Sequence, residues 1–244
     1  MKRICLINPN TTRSMTDACA DAAKLVVGDR LHIEAITVAS GPESIEGHYD
    51  GAVASVGLME TLMANPDADG YIIACFDDTG LDAARCLVNA PVVGMGEAAF
   101  HIASLVSHRF AVITTLSRSV PIIQHNLERY GLSRRCAGVL ATDIPVLALE
   151  SDDGEAEKRI EEQMVRAKAL GAEAVVLGCA GMVSMTRRLS EKFGMPVVDG
   201  ITGAAGLVGT LIDLGIATAK LGGYAAPVSK AYHGTLSSFG TAAD

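Results

Sequence analysis

Two cysteines occupy equivalent positions in the sequence, each at the end of a short apolar run. Cys75 follows the run 71–74 and Cys179 follows the run 174–178, and polar or glycine residues come soon after both. Such a pattern predicts a buried strand that leads into a helix. The pKa of a free cysteine is about 8.5, and a helix N-terminus brings it towards neutrality, so that the thiolate can act as a base. We therefore expect both thiols to be reactive.

A pair of thiols can carry out acid–base chemistry that a single thiol cannot. If one lies on each side of a bound molecule, a thiolate removes a proton from one face and the opposite thiol returns a proton to the other. This is racemisation without a cofactor at an acidic carbon beside a carbonyl group, and backbone N–H groups at helix starts can hold the oxyanion. The alternative is structural, because free cysteine is among the most buried residue types.

Asp77 and Asp78 complicate the prediction for Cys75. Nearby carboxylates raise the pKa of a thiol, whereas Asp at a helix start commonly accepts a hydrogen bond as its N-cap. The sequence leaves both roles open. The other four cysteines are predicted to be structural, since they lie inside predicted elements or lack a counterpart in the other half; they are Cys5, Cys19, Cys86 and Cys136.

Strands and helices alternate along the first half of the chain. Asn8 to Thr12 form a polar cluster with a proline after the first apolar run, which predicts the end of a strand and the cap of a helix. The predicted strands are 2–7, 31–39, the run ending at Cys75, and 91–95. The predicted helices are about 13–27, 51–64, 80–87 and 97–107.

The second half repeats this order at an offset of about 105 residues. Its strands are predicted at 109–114, 135–141, 174–179 and 196–199. The repeat predicts an α/β fold with two pseudo-symmetric lobes, each a parallel sheet flanked by helices. A helix at about 202–214 closes the second lobe and returns the chain to the first. The predicted lobes are 1–97 plus about 208–244, and 98–207.

The predicted active site lies in a cleft between the lobes. Ligands bind beyond the carboxyl ends of parallel strands, and polar or thiol side chains stand at several predicted strand ends: Asn8, Asn10, Ser40, Cys75, Thr114, Thr115 and Cys179. If the lobes face each other about a pseudo-twofold axis, Cys75 and Cys179 lie on opposite walls of one cleft.

Composition limits the classes of function. The 244 residues are 49% apolar with a net charge of −8, which suits an α/β protein and gives no support for nucleic-acid binding. No segment approaches the roughly 18 apolar residues that span a membrane, and no signal-peptide core follows Met1. There is no Cys-x-x-Cys and no paired His spacing, so no metal site is predicted. We expect a cytoplasmic protein with free thiols. The tail from Gly223 is predicted to be either a loose end or a segment that folds over a lobe or a partner subunit.

Several motifs taken together resemble one known family. They are INPNTT at 7–12, SGPESIEG at 40–47, ACF at 74–76, VITT at 112–115 and LGCAGM at 177–182. From Ile4 to about Tyr224 the chain resembles the hydantoin racemase branch of the aspartate/glutamate racemase superfamily, to which allantoin racemases also belong. The resemblance implies racemisation of 5-substituted hydantoins, with allantoin as one candidate, by Cys75 and Cys179. It also implies homo-oligomers, no metal or pyridoxal phosphate cofactor, and a pocket formed by Asn10, Ile45, Thr114 and Thr115.

The residues after each cysteine differ from those of the amino-acid racemases in the wider superfamily. Those enzymes commonly carry Asn-Thr after the first cysteine, whereas this chain has Phe76 and Asp77, with Ala180 and Gly181 after the second. These residues suit a flat, neutral ring, a cyclic ureide, better than a free amino acid. We expect a backbone N–H of Phe76 or Gly181 to hold the enolate oxygen. Thr114 and Thr115 are expected to bond ring N–H or C=O groups.

Other functions remain open from the sequence alone. Within the fold, these are an allantoin-specific racemase, an amino-acid racemase, or a maleate-isomerase-like or decarboxylase-like enzyme that uses one cysteine. In a different class, the chain is a non-catalytic, two-lobed binding protein for small molecules. Asn10 and Ile45 have structural alternatives as a helix cap and a core residue, and Glu46 and His48 are expected to be exposed. The preferred C5 substituent and the number of subunits are not predicted.

Overall fold

Eight parallel strands form two separate sheets in a computed structural model that describes residues 1–150 and 154–240. The first sheet has the order β2-β1-β3-β4, and its strands are β1 (Arg3–Asn8), β2 (His32–Thr37), β3 (Gly70–Ile73) and β4 (Val92–Gly94). The second sheet has the order β6-β5-β7-β8, and its strands are β5 (Phe110–Thr114), β6 (Cys136–Ala141), β7 (Ala174–Gly178) and β8 (Val197–Asp199). The predicted two-lobed α/β fold is confirmed, and the strand ends differ from the prediction by at most two residues.

Eight α-helices connect and cover the strands. They are α1 (Arg13–Val27), α2 (His48–Ala64), α3 (Leu81–Leu87), α4 (Met95–Val106), α5 (Val120–Arg129), α6 (Glu155–Ala169), α7 (Thr186–Phe193) and α8 (Gly200–Leu214). α1 has the predicted bounds. α2 starts three residues earlier than predicted, because the preceding loop ends at Gly47, whose φ of 109° is accessible to glycine.

The register of the inner strands brings the predicted site residues to one edge of each sheet. Ile7 of β1 lies beside Ile73 of β3, and Thr114 of β5 lies beside Gly178 of β7. The chain segments that follow these strands therefore leave the sheets side by side. As a result, each cysteine emerges at a carboxyl edge, next to the polar residues after the neighbouring strand.

Two helices join the lobes by packing on the opposite sheet. α4 follows the last strand of the first sheet but packs on β7 and β8, whereas α8 follows the last strand of the second sheet and packs on β3 and β4. α4 and α8 also pack against each other. A Cβ at Gly200 would lie 2.2 Å from the carbonyl oxygen of Met95, so the close approach of the two helix starts requires glycine there. We propose that the lobe boundaries lie at these helices, which agrees with the predicted ranges.

One hydrophobic core spans the interface between the lobes. Ile4 and Leu6 of the first sheet belong to the same buried cluster as Phe110 and Val112 of the second, together with residues of α1, α4 and α8. Each sheet has a further cluster on its outer face. Because burial of apolar surface contributes about 25 cal/mol per Å², this shared core fixes the relative position of the two carboxyl edges.

The C-terminal tail lies on the first lobe. The backbone N–H of Thr218 donates to the carbonyl of Asn89 at 2.9 Å, and the Tyr224 hydroxyl donates to Asp82 at 3.1 Å. As far as Tyr224, the tail therefore folds over a lobe, which is one of the two predicted possibilities, and is not a loose end. Residues 241–244, which belong to the same prediction, lie outside the described residues. Among the residues that are described, no helix is both long and apolar enough to cross a membrane.

The N-cap of α8 gives a stability prediction. Asp199 accepts hydrogen bonds from the backbone N–H of Thr202 at 2.8 Å and from its hydroxyl at 2.6 Å. We expect Asp199→Ala to lower the free energy of unfolding by about 1–2 kcal/mol, because buried N–H groups lose their acceptor. Urea denaturation measures this change. The control is Asp213→Ala on the same helix, where the lost contact is an exposed ion pair with Arg30 at 3.0 Å. Its effect should stay within about 0.5 kcal/mol, and equal losses in both variants would contradict the assignment.

Candidate active site

A cavity opens between the carboxyl edges of the two sheets. Its lining residues are Asn10, Met15, Ile45, Ala74, Cys75, Phe76, Asp77, Thr114, Thr115, Ser119, Val146, Gly178, Cys179 and Ala180. Every residue predicted for the site lines this cavity except Gly181. The cavity measures about 40 Å³. The repeat therefore brings one cysteine from each lobe to the same space.

Cys75 is held in a tight turn directly after β3. Its carbonyl accepts a hydrogen bond from the backbone N–H of Asp78 at 3.0 Å, and its sulfur lies 3.3 Å from the hydroxyl oxygen of Thr79. Burial raises the pKa of Cys75 to about 12, and the charge of Asp77 adds to this increase. The Thr79 hydroxyl and the backbone N–H of Asp77 both lower the pKa, because they can donate hydrogen bonds to the thiolate.

Cys179 has a similar but simpler environment. It stands directly before a 3₁₀ helix, Ala180–Met185. Burial raises its pKa to about 11, and the backbone N–H of Gly181 acts in the opposite direction. The charges of Asp77 and Glu46 also raise the pKa. The N–H of Gly181 thus faces the sulfur, so the expected contact between this N–H and a substrate oxygen is revised to a contact with Cys179.

The lowering of the pKa that a helix start predicts is not found at Cys179, and at Cys75, where the sequence left the balance between the helix start and the two carboxylates open, the pKa is raised as well. α3 begins only at Leu81, six residues after Cys75, and Cys179 precedes a 3₁₀ helix whose dipole is short. Loss of hydration therefore outweighs the backbone donors at both sulfurs. Both cysteines are protonated in the resting protein at neutral pH. A thiolate formed here is a stronger base than an ordinary cysteine, because its conjugate acid has the higher pKa.

Asp77 is the acidic residue of the cavity. Burial raises its pKa from 3.8 to about 7, and its charge raises the pKa of both Cys75 and Cys179. Within residues 1–150 and 154–240, no hydrogen-bond donor lies against its carboxylate. A buried carboxylate without a donor is unstable when charged, so this side chain is available to accept hydrogen bonds from a ligand.

Asp78 has a structural role instead. Its carboxylate accepts hydrogen bonds from the backbone N–H groups of Gly96 at 2.9 Å and Glu97 at 2.8 Å, and from the Tyr130 hydroxyl at 2.7 Å. The capping role that the sequence offered for the helix after Cys75 is not found, since α3 has no side-chain cap; Asp78 instead accepts from N–H groups at the start of α4. Asn126 adds a second tie by donating to the carbonyl of Asp77 at 2.9 Å. The turn that carries Cys75 is thus fixed to both α4 and α5.

The polar side chains predicted to contact the substrate differ in how many of their hydrogen-bonding groups are already bonded within the protein. The Thr114 hydroxyl donates to the carbonyl of Gly178 at 3.4 Å and ties β5 to β7 beside Cys179. The side-chain oxygen of Asn10 accepts from Asn8 at 2.8 Å and from the N–H of Thr12 at 2.9 Å, which makes it part of the turn before α1. The hydroxyl of Thr115 is buried and has no hydrogen-bond partner among the described residues.

Two loops meet over the cavity and close one side of it. Ile45 and Val146 line the cavity from opposite lobes. Between them, Glu46 accepts a hydrogen bond from the backbone N–H of Val146 at 3.2 Å. Glu46 was expected to be exposed but is half-buried, because this contact draws it into the gap between the loops. His48 is exposed as predicted.

Met15, Ser119 and Val146 line the cavity but were missed by the sequence analysis. Ser119 precedes α5, and a proline lies in the first turn of that helix, which reads as an N-cap signal. Its side chain makes no capping hydrogen bond. The signal that could have found Ser119 is its position just after β5, on the same edge as Thr114 and Thr115. Met15 and Val146 carry no such signal, since apolar residues on a helix face or in a loop are common.

The fold and the cavity define a two-lobed α/β enzyme whose site contains one cysteine from each lobe. The sequence profile of the Asp/Glu/Hydantoin racemase family matches residues 4–208, so the chain belongs to this family. The predicted resemblance is confirmed, and the chain is an enzyme of the racemase type. Among the described residues, no group of three or more His, Cys, Asp or Glu side chains could hold a metal ion.

Individual relatives agree with this assignment. The chain is 46% identical to a hydantoin racemase from Rhizobium meliloti over 94% of this chain and 96% of that protein. It is 42% identical to the solved structure of an allantoin racemase from Klebsiella pneumoniae, with a TM-score of 0.94 over 98% of this chain and 99% of that one. A glutamate racemase structure from Bacillus anthracis, 16% identical with a TM-score of 0.62 over 88% and 82%, shares the fold.

The raised pKa of Asp77 predicts a pH-dependent cost in stability. Folding raises the pKa from 3.8 to about 7, so the folded state holds the proton more tightly than the unfolded state. The carboxyl is neutral in both states below pH 4, and stability is lost as the pH rises towards 7. We expect Asp77→Asn to raise the free energy of unfolding by about 1–3 kcal/mol at pH 8, and by much less at pH 4.

Urea denaturation at several pH values checks this prediction. The control is Asp29→Asn, since Asp29 is exposed and should show no change across the same range. Asp78 has a similarly raised pKa in the folded state, so part of the pH dependence should remain in Asp77→Asn. A variant that is less stable than the parent protein at pH 8 would contradict the account of Asp77 as a buried, unpaired charge.

Proposed function

We propose that this protein interconverts the enantiomers of 5-substituted hydantoins, with allantoin as a candidate substrate, by proton transfer between C5 and two cysteines. The observation that carries the proposal is the shared cavity, which is lined by Cys75 from one lobe and Cys179 from the other. The hydantoin racemase and the allantoin racemase described above support the substrate class. No step of this reaction requires a cofactor.

The chemistry follows from the acidity of C5. A hydantoin carries a carbonyl at C4, so removal of the C5 proton leaves an enolate that is delocalised over the flat ring. One thiolate takes this proton, the S–H bond of the opposite cysteine breaks, and its proton forms the new C–H bond on the other face. After one turnover, the protonation states of Cys75 and Cys179 are exchanged. The raised pKa values of about 12 and 11 make each thiolate a stronger base but lower its population, and a general base is most effective when its pKa lies near the working pH, so substrate binding must favour the thiolate.

The polar lining supports a neutral substrate with N–H groups. No Lys, Arg or His lines the cavity within the part of the chain that the structure describes, so a carboxylate substrate such as an amino acid would find no cation. Asp77 instead offers a buried carboxylate that ring or ureido N–H groups can satisfy. The hydroxyl of Thr115 can donate to a ring carbonyl, whereas the Thr114 hydroxyl, which donates to Gly178, can accept from a ring N–H. We propose that the backbone N–H of Phe76 donates a hydrogen bond to the enolate oxygen.

The remaining lining residues shape the pocket. Phe76 is buried and packs edge-on against Phe100, with ring centroids 5.3 Å apart, so its position is fixed. Ala180 is small and leaves room for a ring beside Cys179. Ile45 and Val146 cover the cavity from the two loops. Together with Asn10, whose amide N–H groups donate, these side chains form a pocket with one acidic group and several neutral hydrogen-bonding groups.

Replacement of each cysteine tests the two-base reaction. We expect Cys75→Ser and Cys179→Ser each to reduce racemisation of a 5-substituted L-hydantoin by about 10²–10⁴-fold, the usual contribution of a general base or acid. Polarimetry or circular dichroism follows the reaction. Cys136→Ser, outside the cavity, should retain full activity. In deuterated water, each cavity variant should still exchange the C5 proton of one enantiomer only. Full turnover in both cavity variants would exclude the mechanism.

Protection from alkylation tests the substrate class. A neutral hydantoin should slow the reaction of Cys75 with iodoacetamide, because both occupy the same cavity. Aspartate or glutamate at the same concentration should have no effect, since a second carboxylate would be repelled by Asp77. Mass spectrometry of the Cys75 peptide measures the rate, and Cys136 serves as the internal control. Equal protection by an amino acid would favour the amino-acid racemase instead.

We also propose that the protein is cytoplasmic and, as the family resemblance implies, that it forms homo-oligomers. α2 supports the second part of this proposal, because Tyr49, Val53 and Val56 form an exposed apolar stripe on its outer face. Light scattering of the purified protein measures the number of subunits.

A further inference from the structure

The two cysteines differ in the hydrogen-bond donors that surround them. Cys75 has the backbone N–H of Asp77 and the hydroxyl of Thr79, whose oxygen lies 3.3 Å from the sulfur. Cys179 has the backbone N–H of Gly181. Thr79 stands four residues after Cys75, and the residue four places after Cys179 is Val183, which has no hydroxyl group. Both lobes therefore share the thiol and the backbone donor, but among the described side chains only Thr79 of the first lobe adds a side-chain donor.

The turn after β3 is built so that Thr79 returns to Cys75. Asp78 has a φ of 51° and Gly80 a φ of 69°, and these two left-handed residues reverse the direction of the chain. Asp78 can hold this conformation because its side chain is tied to α4. Thr79 is only 7% exposed, and its hydroxyl makes no other hydrogen bond in the described residues. Gly51 of α2 lies beside the hydroxyl, where a Cβ would be 3.8 Å from its oxygen, an ordinary van der Waals contact.

A hydroxyl group can serve both protonation states of the neighbouring sulfur. It can accept the S–H of a thiol and, after rotation, donate to a thiolate. Hydrogen bonds to charged groups are stronger than those between neutral groups, so the thiolate gains more from Thr79 than the thiol does. The nearby carboxylate of Asp77 acts in the opposite direction. Thr79 is the only side-chain donor to Cys75 among the described residues.

We propose that Thr79 is a positioning residue that orients the Cys75 sulfur and stabilises its thiolate by donating a hydrogen bond, so that the two bases of the site are unequally supported. This inference rests on the proposed function in so far as it gives the Cys75 thiolate a catalytic role. The hydroxyl is not required to touch the substrate. Its effect on the reaction passes through the sulfur of Cys75.

Racemisation rates alone cannot test this asymmetry. Two enantiomers have the same free energy in water, so kcat/KM must fall by the same factor in both directions whichever thiolate is weakened. A direct measurement on each sulfur is needed. Alkylation by iodoacetamide provides it, because the thiolate is the reactive form and the rate at a fixed pH reports its population.

The experiment compares Thr79→Val and Thr79→Ser in the Cys179→Ser background. We expect Thr79→Val, which keeps the shape but removes the donor, to slow alkylation of Cys75 at pH 8 by about 10- to 100-fold, the range for a hydrogen bond to a charged group. Thr79→Ser should restore most of the rate. The matched control is Thr79→Val in the Cys75→Ser background, where alkylation of Cys179 should not change.

Each possible result decides the question. Unchanged alkylation of Cys75 in Thr79→Val, or equal slowing of Cys75 and Cys179, would overturn the proposal. If the circular dichroism spectrum shows that Thr79→Val does not fold, Thr79→Ala removes the same donor and takes its place. The assay needs no substrate, so it separates two failures. If Thr79→Val slows alkylation of Cys75 but the parent protein racemises no hydantoin, the proposed function alone is rejected. If the parent protein racemises hydantoins but Thr79→Val does not slow alkylation, the role of Thr79 alone is rejected.

Discussion

The partial burial of ionisable groups between the two lobes is the constraint on which the proposed chemistry of the site depends. The same burial raises the pKa of Cys75, Cys179 and Asp77. It lowers the population of each thiolate and raises its basicity. It also leaves the Asp77 carboxylate able to accept a hydrogen bond from an N–H group of a ligand. A single aspartate couples the two thiols, since its charge opposes the ionisation of both. A ligand that donates to Asp77 would remove part of this opposition and favour the thiolate when the substrate is bound.

The core that the two lobes share fixes the position of the two carboxyl edges relative to each other. α4 and α8 cross between the sheets, so neither carboxyl edge can move without disturbing the packing of the other. Asp78 links α4 to the turn that carries Cys75. Its backbone belongs to this turn, and its carboxylate accepts hydrogen bonds from the start of α4. A buried carboxylate with three donors is rigid. The turn therefore presents the sulfur, Thr79 and the backbone N–H of Asp77 as one unit.

The sequence predicted those features that depend on local patterns or on the repeat. Apolar runs located the strands within two residues, and the offset of about 105 residues paired Cys75 with Cys179. The sequence was a poor guide where an outcome depends on long-range burial. The pKa of Cys179 was expected to fall and the direction at Cys75 was left open, because helix starts and neighbouring carboxylates are visible in the sequence whereas the loss of hydration is not. Glu46 and Ser119 were missed for the same reason, since their partners and surroundings come from distant parts of the chain.

The two acidic residues after Cys75 illustrate how duplication and specialisation combine in this site. Asp78 is satisfied by three donors, whereas Asp77 has no donor for its carboxylate in the described residues, although the two are adjacent in the sequence and their pKa values are raised to a similar extent. Stability alone would favour a neutral side chain at position 77, because an unpaired buried charge costs free energy. The position after Cys179 that corresponds to Asp77 is Gly181, so the second lobe has no carboxylate at this position. A ligand with N–H groups, as proposed, would account for the charge at Asp77, and its single copy gives a pseudo-symmetric cavity one acidic wall that can orient an asymmetric ring between the two thiols.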